Sequence, residues 1–222
     1  PCARPLGGPE GFATGWLTVE TMLVDPGPST DRDEIASAAV LVRLVRLAGA
    51  VDVTGLDDRP AHDAAHAPST VAPAVEPAHD EVLERAHRAI DGDRTGAIVG
   101  HLDWSARNVR WDRHGLVAVF DLDSLGTATD AVLAGRAAVL WSTTSDPGDR
   151  PWPDGRRIAS FIETYQRVRG YRFTTVQHRA AWGAALDVVV RGAADEHRWG
   201  IVGPATVALE RSGPELMERC GA

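Results

Sequence analysis

Lysine is missing from this sequence. All 23 basic residues among its 222 are arginine, so its positive charge sits entirely in forked, permanently charged guanidinium groups. Cysteine is nearly missing too. Cys2 and Cys220 lie at opposite ends, with no C-x-x-C pair and no Cys/His ligand spacing. That excludes a dense disulfide framework and a cysteine-based zinc site, and two unpaired thiols in a reducing compartment are expected. No run of about 18 apolar residues occurs, which argues against a membrane-spanning helix. No basic-then-apolar leader opens the chain, and its first residue is Pro1, as a trimmed or upstream-incomplete chain would begin. Positive charge is also in deficit. A net charge of −8 and a pI near 5.4 argue against holding nucleic acid by bulk electrostatics. A cytoplasmic protein with neither nucleic acid nor membrane as partner is the expectation.

What is present has ordinary globular proportions, with 44% hydrophobic and 24% charged residues. The length favours one extended core. Residues 1–15 are rich in Gly and Pro and read as irregular, their glycines matching no phosphate-cradling pattern. Trp16–Val24 reads as a strand stopped by Asp25-Pro26-Gly27-Pro28. Helices are expected over Arg32–Ala48, Ala78–Ile90, Ala131–Trp141, Arg156–Arg167 and Thr175–Gly192, with one or two more after Arg198. Between the first two, residues 50–75 carry His62 and His66 at H-x-x-x-H spacing. Pro60 and Pro68 flank them and no catalytic Glu stands between, so a surface loop is expected there rather than a metal site. Asn108–Trp111 and Leu116–Phe120, joined by Asp112-Arg113-His114-Gly115, read as one small hairpin. The fold class is therefore mainly α (α+β).

The stretch that carries chemistry is His101-Leu102-Asp103-Trp104-Ser105-Ala106-Arg107-Asn108, then the hairpin, then Asp121-Leu122-Asp123. It spells H-x-D-x-x-x-x-N, two short strands, and D-x-D. Phosphoryl transfer uses these residue types: one carboxylate at the acceptor hydroxyl, plus an amide oxygen and a second carboxylate for magnesium. Asp103 and Asn108 are five positions apart across a loop. The hairpin then carries the chain out and returns Asp121 beside Asn108. Trp104 and Trp111 are expected to pack the loop and hairpin rather than to stack on a substrate.

This stretch resembles the catalytic core of the aminoglycoside phosphotransferase and choline kinase family, relatives of protein kinases. The family pattern is H-G-D-x-x-x-x-N, a hairpin, and an apolar residue before D-x-D or D-x-G. The resemblance implies a kinase-like helical lobe over 29–222 carrying the catalytic loop. Residues 1–28 would be an irregular segment and a hinge-like strand, with little or no N-terminal lobe. It implies Asp103 as catalytic base, His101 as the residue supporting the loop, and Asn108 and Asp121 as ligands of Mg2+ and hence of the bound nucleotide. Asp123 is a further metal candidate. ATP or GTP would be the co-substrate. The acceptor would be a hydroxyl on an aminoglycoside- or choline-like small molecule, or a peptide Ser/Thr in natural-product biosynthesis.

The sequence departs from that pattern at three points. Leu102 replaces the usual Gly and is expected to crowd the backbone of the base, and Leu122 stands where Trp is frequent. No lysine exists to meet the α/β-phosphates, and an arginine fork is not its equivalent. The nucleotide lobe is then outside this sequence, supplied by a partner chain, or lost. The last case makes the protein a catalytically silent binding or regulatory subunit.

Overall fold

The computed structural model describes residues 10–12, 15–17, 34–49, 77–112, 115–143 and 152–221. Among them the protein is mainly helical, with six helices and three two-stranded antiparallel sheets.

The first sheet pairs β1 (Glu10–Phe12) with β2 (Gly15–Leu17), Gly11 opposite Trp16. This corrects the expectation of an irregular segment up to residue 15. A two-residue connection suffices to pair two strands, and the glycine-rich composition hid that signal. Of the strand expected over Trp16–Val24, the structure gives Gly15–Leu17, and residues 18–24 lie outside the described set. So do Cys2, His62 and His66.

Helix α1 (Glu34–Ala48) buries Ala38, Leu41, Val42 and Val45 along one face, at the three- and four-residue spacings of a helical stripe. It packs on α4 (Gly155–Arg169). Helix α2 (Pro77–Asp91) lies on α5 (Thr175–Arg198). Helix α3 (Asp130–Leu140) is buried from Asp130 to Val139, between α4 and α5. Its contact with α5 is unusually close. A Cβ on Gly135 would stand 2.0 Å from the Ala181 carbonyl oxygen, so only glycine fits there. Helix α5 begins at a reciprocal cap between Thr174 and Gln177. Helix α6 (Pro204–Arg219) packs on α5, and Glu196 accepts hydrogen bonds from the Gly203, Ala205 and Thr206 amides at its start. Those amides are among the donors that a helix start leaves unpaired.

Two ionic clusters tie the helices together. At the start of α3, the Asp130 carboxylate accepts from Tyr165 Oη at 2.5 Å, Tyr171 Oη at 2.7 Å, and Arg169 Nε and Nη2 at 3.0 Å each. Burial pushes the Asp130 carboxyl upward. The bonds from Arg169, Tyr165 and Tyr171 and the Arg169 charge outweigh this and hold it below the ordinary range. Burial and the neighbouring Asp130 push both tyrosines up. On α5, fully buried Asp187 is surrounded by His87, Arg136 and Arg191. Burial again raises its carboxyl, and the three cationic or donor groups bring it below its usual value.

The remaining two sheets are nested. Strand β3 (Ile98–His101) pairs with β6 (Leu125–Ala128), His101 opposite Leu125. Between these partners the chain makes a 3-10 turn (Ala106–Asn108), the hairpin β4 (Val109–Asp112) and β5 (Gly115–Val119), and a second 3-10 turn (Leu122–Ser124). The β3–β6 ladder thus closes the base of a loop that holds every residue from 102 to 124. The hairpin matches its sequence expectation to within a residue at each end. The strand at 125–128 was not expected.

Among the described residues no helix is long and apolar enough to cross a membrane.

Candidate active site

The nested loop brings the H-x-D-x-x-x-x-N residues and Asp121 together. His101 ends β3, almost wholly buried, and its Nε2 lies 2.9 Å from the Phe120 carbonyl oxygen. A carbonyl only accepts, so Nε2 carries the proton. That bond joins the start of the H-x-D-x-x-x-x-N loop to the last residue before Asp121. The Phe120 amide donates to the Asn108 carbonyl at 2.8 Å, and β4–β5 pairing continues from Val109 opposite Val119. His101 therefore holds the two ends of the segment in register from within the core.

Trp104, with no exposed surface, stacks on Trp141 at 6.4 Å, and its Nε1 donates to Ser37 Oγ at 2.9 Å. The residue after Asp103 is thus anchored in the core between α1 and the end of α3. The Leu102 side chain does not crowd the Asp103 backbone as the sequence suggested. Its side chain turns into the core with Val45, Ala128, Val132 and Leu133 and lies over Gly126, where a Cβ would stand 2.6 Å from Leu102 Cδ1. The glycine on β6 makes the room that the leucine on the loop needs.

With both flanks fixed, three side chains converge. Asn108 Nδ2 donates to the Asp103 carbonyl at 2.9 Å, to Asp103 Oδ2 at 3.1 Å and to Asp121 Oδ2 at 3.4 Å. One amide therefore bridges two carboxylates thirteen and five residues away in sequence. Arg107 Nη2 approaches Asp103 Oδ2 at 3.4 Å from the open side, mostly exposed, so this pair is worth little on its own.

Asp121 has φ 58° and ψ 49°, the only non-glycine residue with positive φ among those described. Asp tolerates that left-handed region better than most residues, yet such backbone costs about 1–3 kcal/mol and concentrates at functional sites. It turns the chain sharply at the end of β5, and Asp121 Oδ2 accepts from Ser124 Oγ at 2.6 Å. Ser124 was not singled out from the sequence. Its signal was its place three residues after Asp121, within reach of the carboxylate in a single tight turn. The backbone of Asp123, the further metal candidate, lies in the Leu122–Ser124 turn, and its side chain is outside what the structure describes.

Hard oxygen donors suit magnesium, and ligands held at 2.0–2.1 Å on an octahedral ion stand about 3 Å apart. The Asn108 atom that faces Asp121 Oδ2 at 3.4 Å is Nδ2, a donor and not a ligand atom, so Asn108 would reach a metal only through its Oδ1, with Asp103 adjacent. Among the described residues no group of three or more His, Cys, Asp or Glu is arranged to hold a metal. An amide and a carboxylate alone fit an ion that takes its other ligands from water and phosphate. They do not fit one caged wholly by protein.

No family model and no curated protein matches the chain.

Proposed function

We propose that this chain carries the catalytic half of a kinase-like phosphotransferase of the aminoglycoside phosphotransferase and choline kinase type, moving the γ-phosphoryl of ATP or GTP to a hydroxyl. The observation that carries the reading is the Asn108 amide lying between the carboxylates of Asp103 and Asp121. A binding surface has no use for two carboxylates drawn against one amide by a strained turn. Phosphoryl transfer needs that set.

In this reading Asp103 faces the acceptor hydroxyl, orients its oxygen on the γ-phosphorus and takes its proton as the new O–P bond forms. The bond from phosphorus to the β-phosphate oxygen breaks, and the nucleoside diphosphate leaves. Asn108 and Asp121 hold magnesium, which when bound neutralises charge on the phosphates. His101 and Trp104 act through the backbone by fixing the loop. The acceptor is a small cationic alcohol, an aminoglycoside- or choline-like hydroxyl, or a peptide Ser/Thr. The contacts that a lysine would make with the phosphates come from chain outside this sequence or from a partner chain. A catalytically silent kinase-like binding subunit is the competing reading.

The two are separated by titrating Mg-ATP and Mg-GTP calorimetrically into the native full-length protein, together with any partner that co-purifies. Metal-dependent binding that Asp121→Ala abolishes is the expected result. No nucleotide binding by the complete assembly overturns the enzyme reading in favour of the silent subunit.

A further inference from the structure

Arg136 sits in the middle of α3 and is only 6% exposed. A guanidinium so placed needs its donors met and its charge balanced. Its Nε donates to the Leu102 carbonyl at 3.1 Å, and its Nη1 reaches Asp187 Oδ2 at 3.4 Å. Leu102 immediately precedes Asp103. The Leu102 amide in turn donates to the Ser124 carbonyl at 2.9 Å. Leu102, the residue before the candidate base, is therefore held through its N–H by the turn that follows Asp121 and through its carbonyl by α3.

The anchor behind Arg136 is itself fixed. Asp187 accepts from Arg191 Nε at 2.9 Å and lies 3.0 Å from His87 Nε2, so α2, α3 and α5 meet at one carboxylate. Burial lowers the affinity of Arg136 for its proton, and Asp187 offsets this only in part. Filling this position on α3 needs only apolar volume, and a buried ion pair gives no assured gain over it. What the guanidinium adds is a fork with one prong on a core carboxylate and the other on the catalytic loop.

We propose that Arg136 is a positioning residue for Asp103: anchored on Asp187, it fixes the Leu102 carbonyl and so the direction in which the Asp103 side chain leaves the loop. The proposal rests on the reading of Asp103 as the acceptor-facing base.

The test uses Arg136→Met, which keeps length without the fork, and Arg136→Lys, which keeps charge with a single donor head, both in the native full-length protein. Amide hydrogen exchange is followed at Leu102 and Asn108, whose N–H groups bond within the loop, and along α5. Expected is a rise of about tenfold or more at the two loop amides, with α5 amides within about twofold of wild type. Turnover of Mg-ATP, with water as acceptor, should fall about 10–100-fold while the nucleotide KM stays within about twofold. Unchanged loop exchange in a folded variant overturns the inference. So does a uniform rise across loop and α5, or loss of the whole fold in both variants, because Arg136 would then hold the core rather than the loop. The exchange measurement needs no catalysis, so it can fail or succeed apart from the functional reading. Unchanged turnover in Asp103→Asn would contradict that reading instead.

Discussion

Asp130→Asn removes one charge from a buried cluster with almost no change in volume, so its cost can be worked from the bonds. Three side chains donate to the carboxylate: Tyr165, Tyr171 and Arg169. A hydrogen bond to a charged group contributes about 1.5–3 kcal/mol and a neutral one about 0.5–1.5. Neutralising Asp130 therefore costs about 1 kcal/mol per donor, or about 3 kcal/mol in all. Arg169 and Tyr171 are partly exposed and can turn to water, which lowers the figure. Tyr165, with none of its surface exposed, cannot. Breaking one member of a buried pair costs about 3–5 kcal/mol in comparable cases, which sets the upper end. For a chain of this length, about 3 kcal/mol is a fall in Tm of about 6–12 °C. Urea unfolding followed by tryptophan fluorescence should show a lower midpoint with unchanged slope. The effect also has a pH signature. Asp130 is held below its ordinary value in the fold, so its contribution is present above the unfolded value of about 3.9 and is lost as pH falls through the lower folded value. The gap between wild type and variant should therefore close in acid. A loss under about 1 kcal/mol at pH 7, or a gap that stays constant down to the acid limit, refutes the reasoning.

Two further expectations concern packing around the site. Gly135→Ala places a methyl against the Ala181 carbonyl and must push α3 from α5, costing about 1–3 kcal/mol in denaturant unfolding; a neutral result would mean the helices have room to separate. Trp104→Phe keeps the aromatic stack but leaves the fully buried Ser37 hydroxyl without its donor, costing about 1–3 kcal/mol and loosening the loop amide of Asn108 in hydrogen exchange; unchanged protection there would detach Trp104 from the loop.

The parts of the fold legible in the sequence are those whose signals are local. Apolar spacing along Glu34–Ala48 and Thr175–Arg198 and the turn ending in Gly115 each lie within a few residues of what they specify. The convergence of Asp103, Asn108 and Asp121 was legible for the same reason, because a short hairpin leaves its two ends adjacent. The β3–β6 ladder was not. Its partners are separated by the whole loop, and Leu125-Gly126-Thr127-Ala128 has no strand pattern of its own. The pairing exists because His101 and Phe120 close the loop and Gly126 admits Leu102. Arg136, Asp130 and Asp187 were illegible too. In sequence a charged residue on a helix reads as a solvated face, and only the packing of α3 between α4 and α5 turns these three inward.

The central claim is that Asp103 takes a proton from an acceptor hydroxyl during phosphoryl transfer. The direct measurement is single-turnover transfer of a radiolabelled γ-phosphoryl from Mg-ATP or Mg-GTP to aminoglycoside, choline-like and seryl-peptide acceptors, comparing the full-length protein with Asp103→Asn. That substitution preserves the shape facing Asn108 and removes the charge and the capacity to take a proton. A positioned base contributes about 10²–10⁴-fold, so transfer should fall by that factor while nucleotide affinity, which the proposed function assigns to Asn108 and Asp121, should be nearly unchanged. Transfer at the wild-type rate by Asp103→Asn contradicts the account.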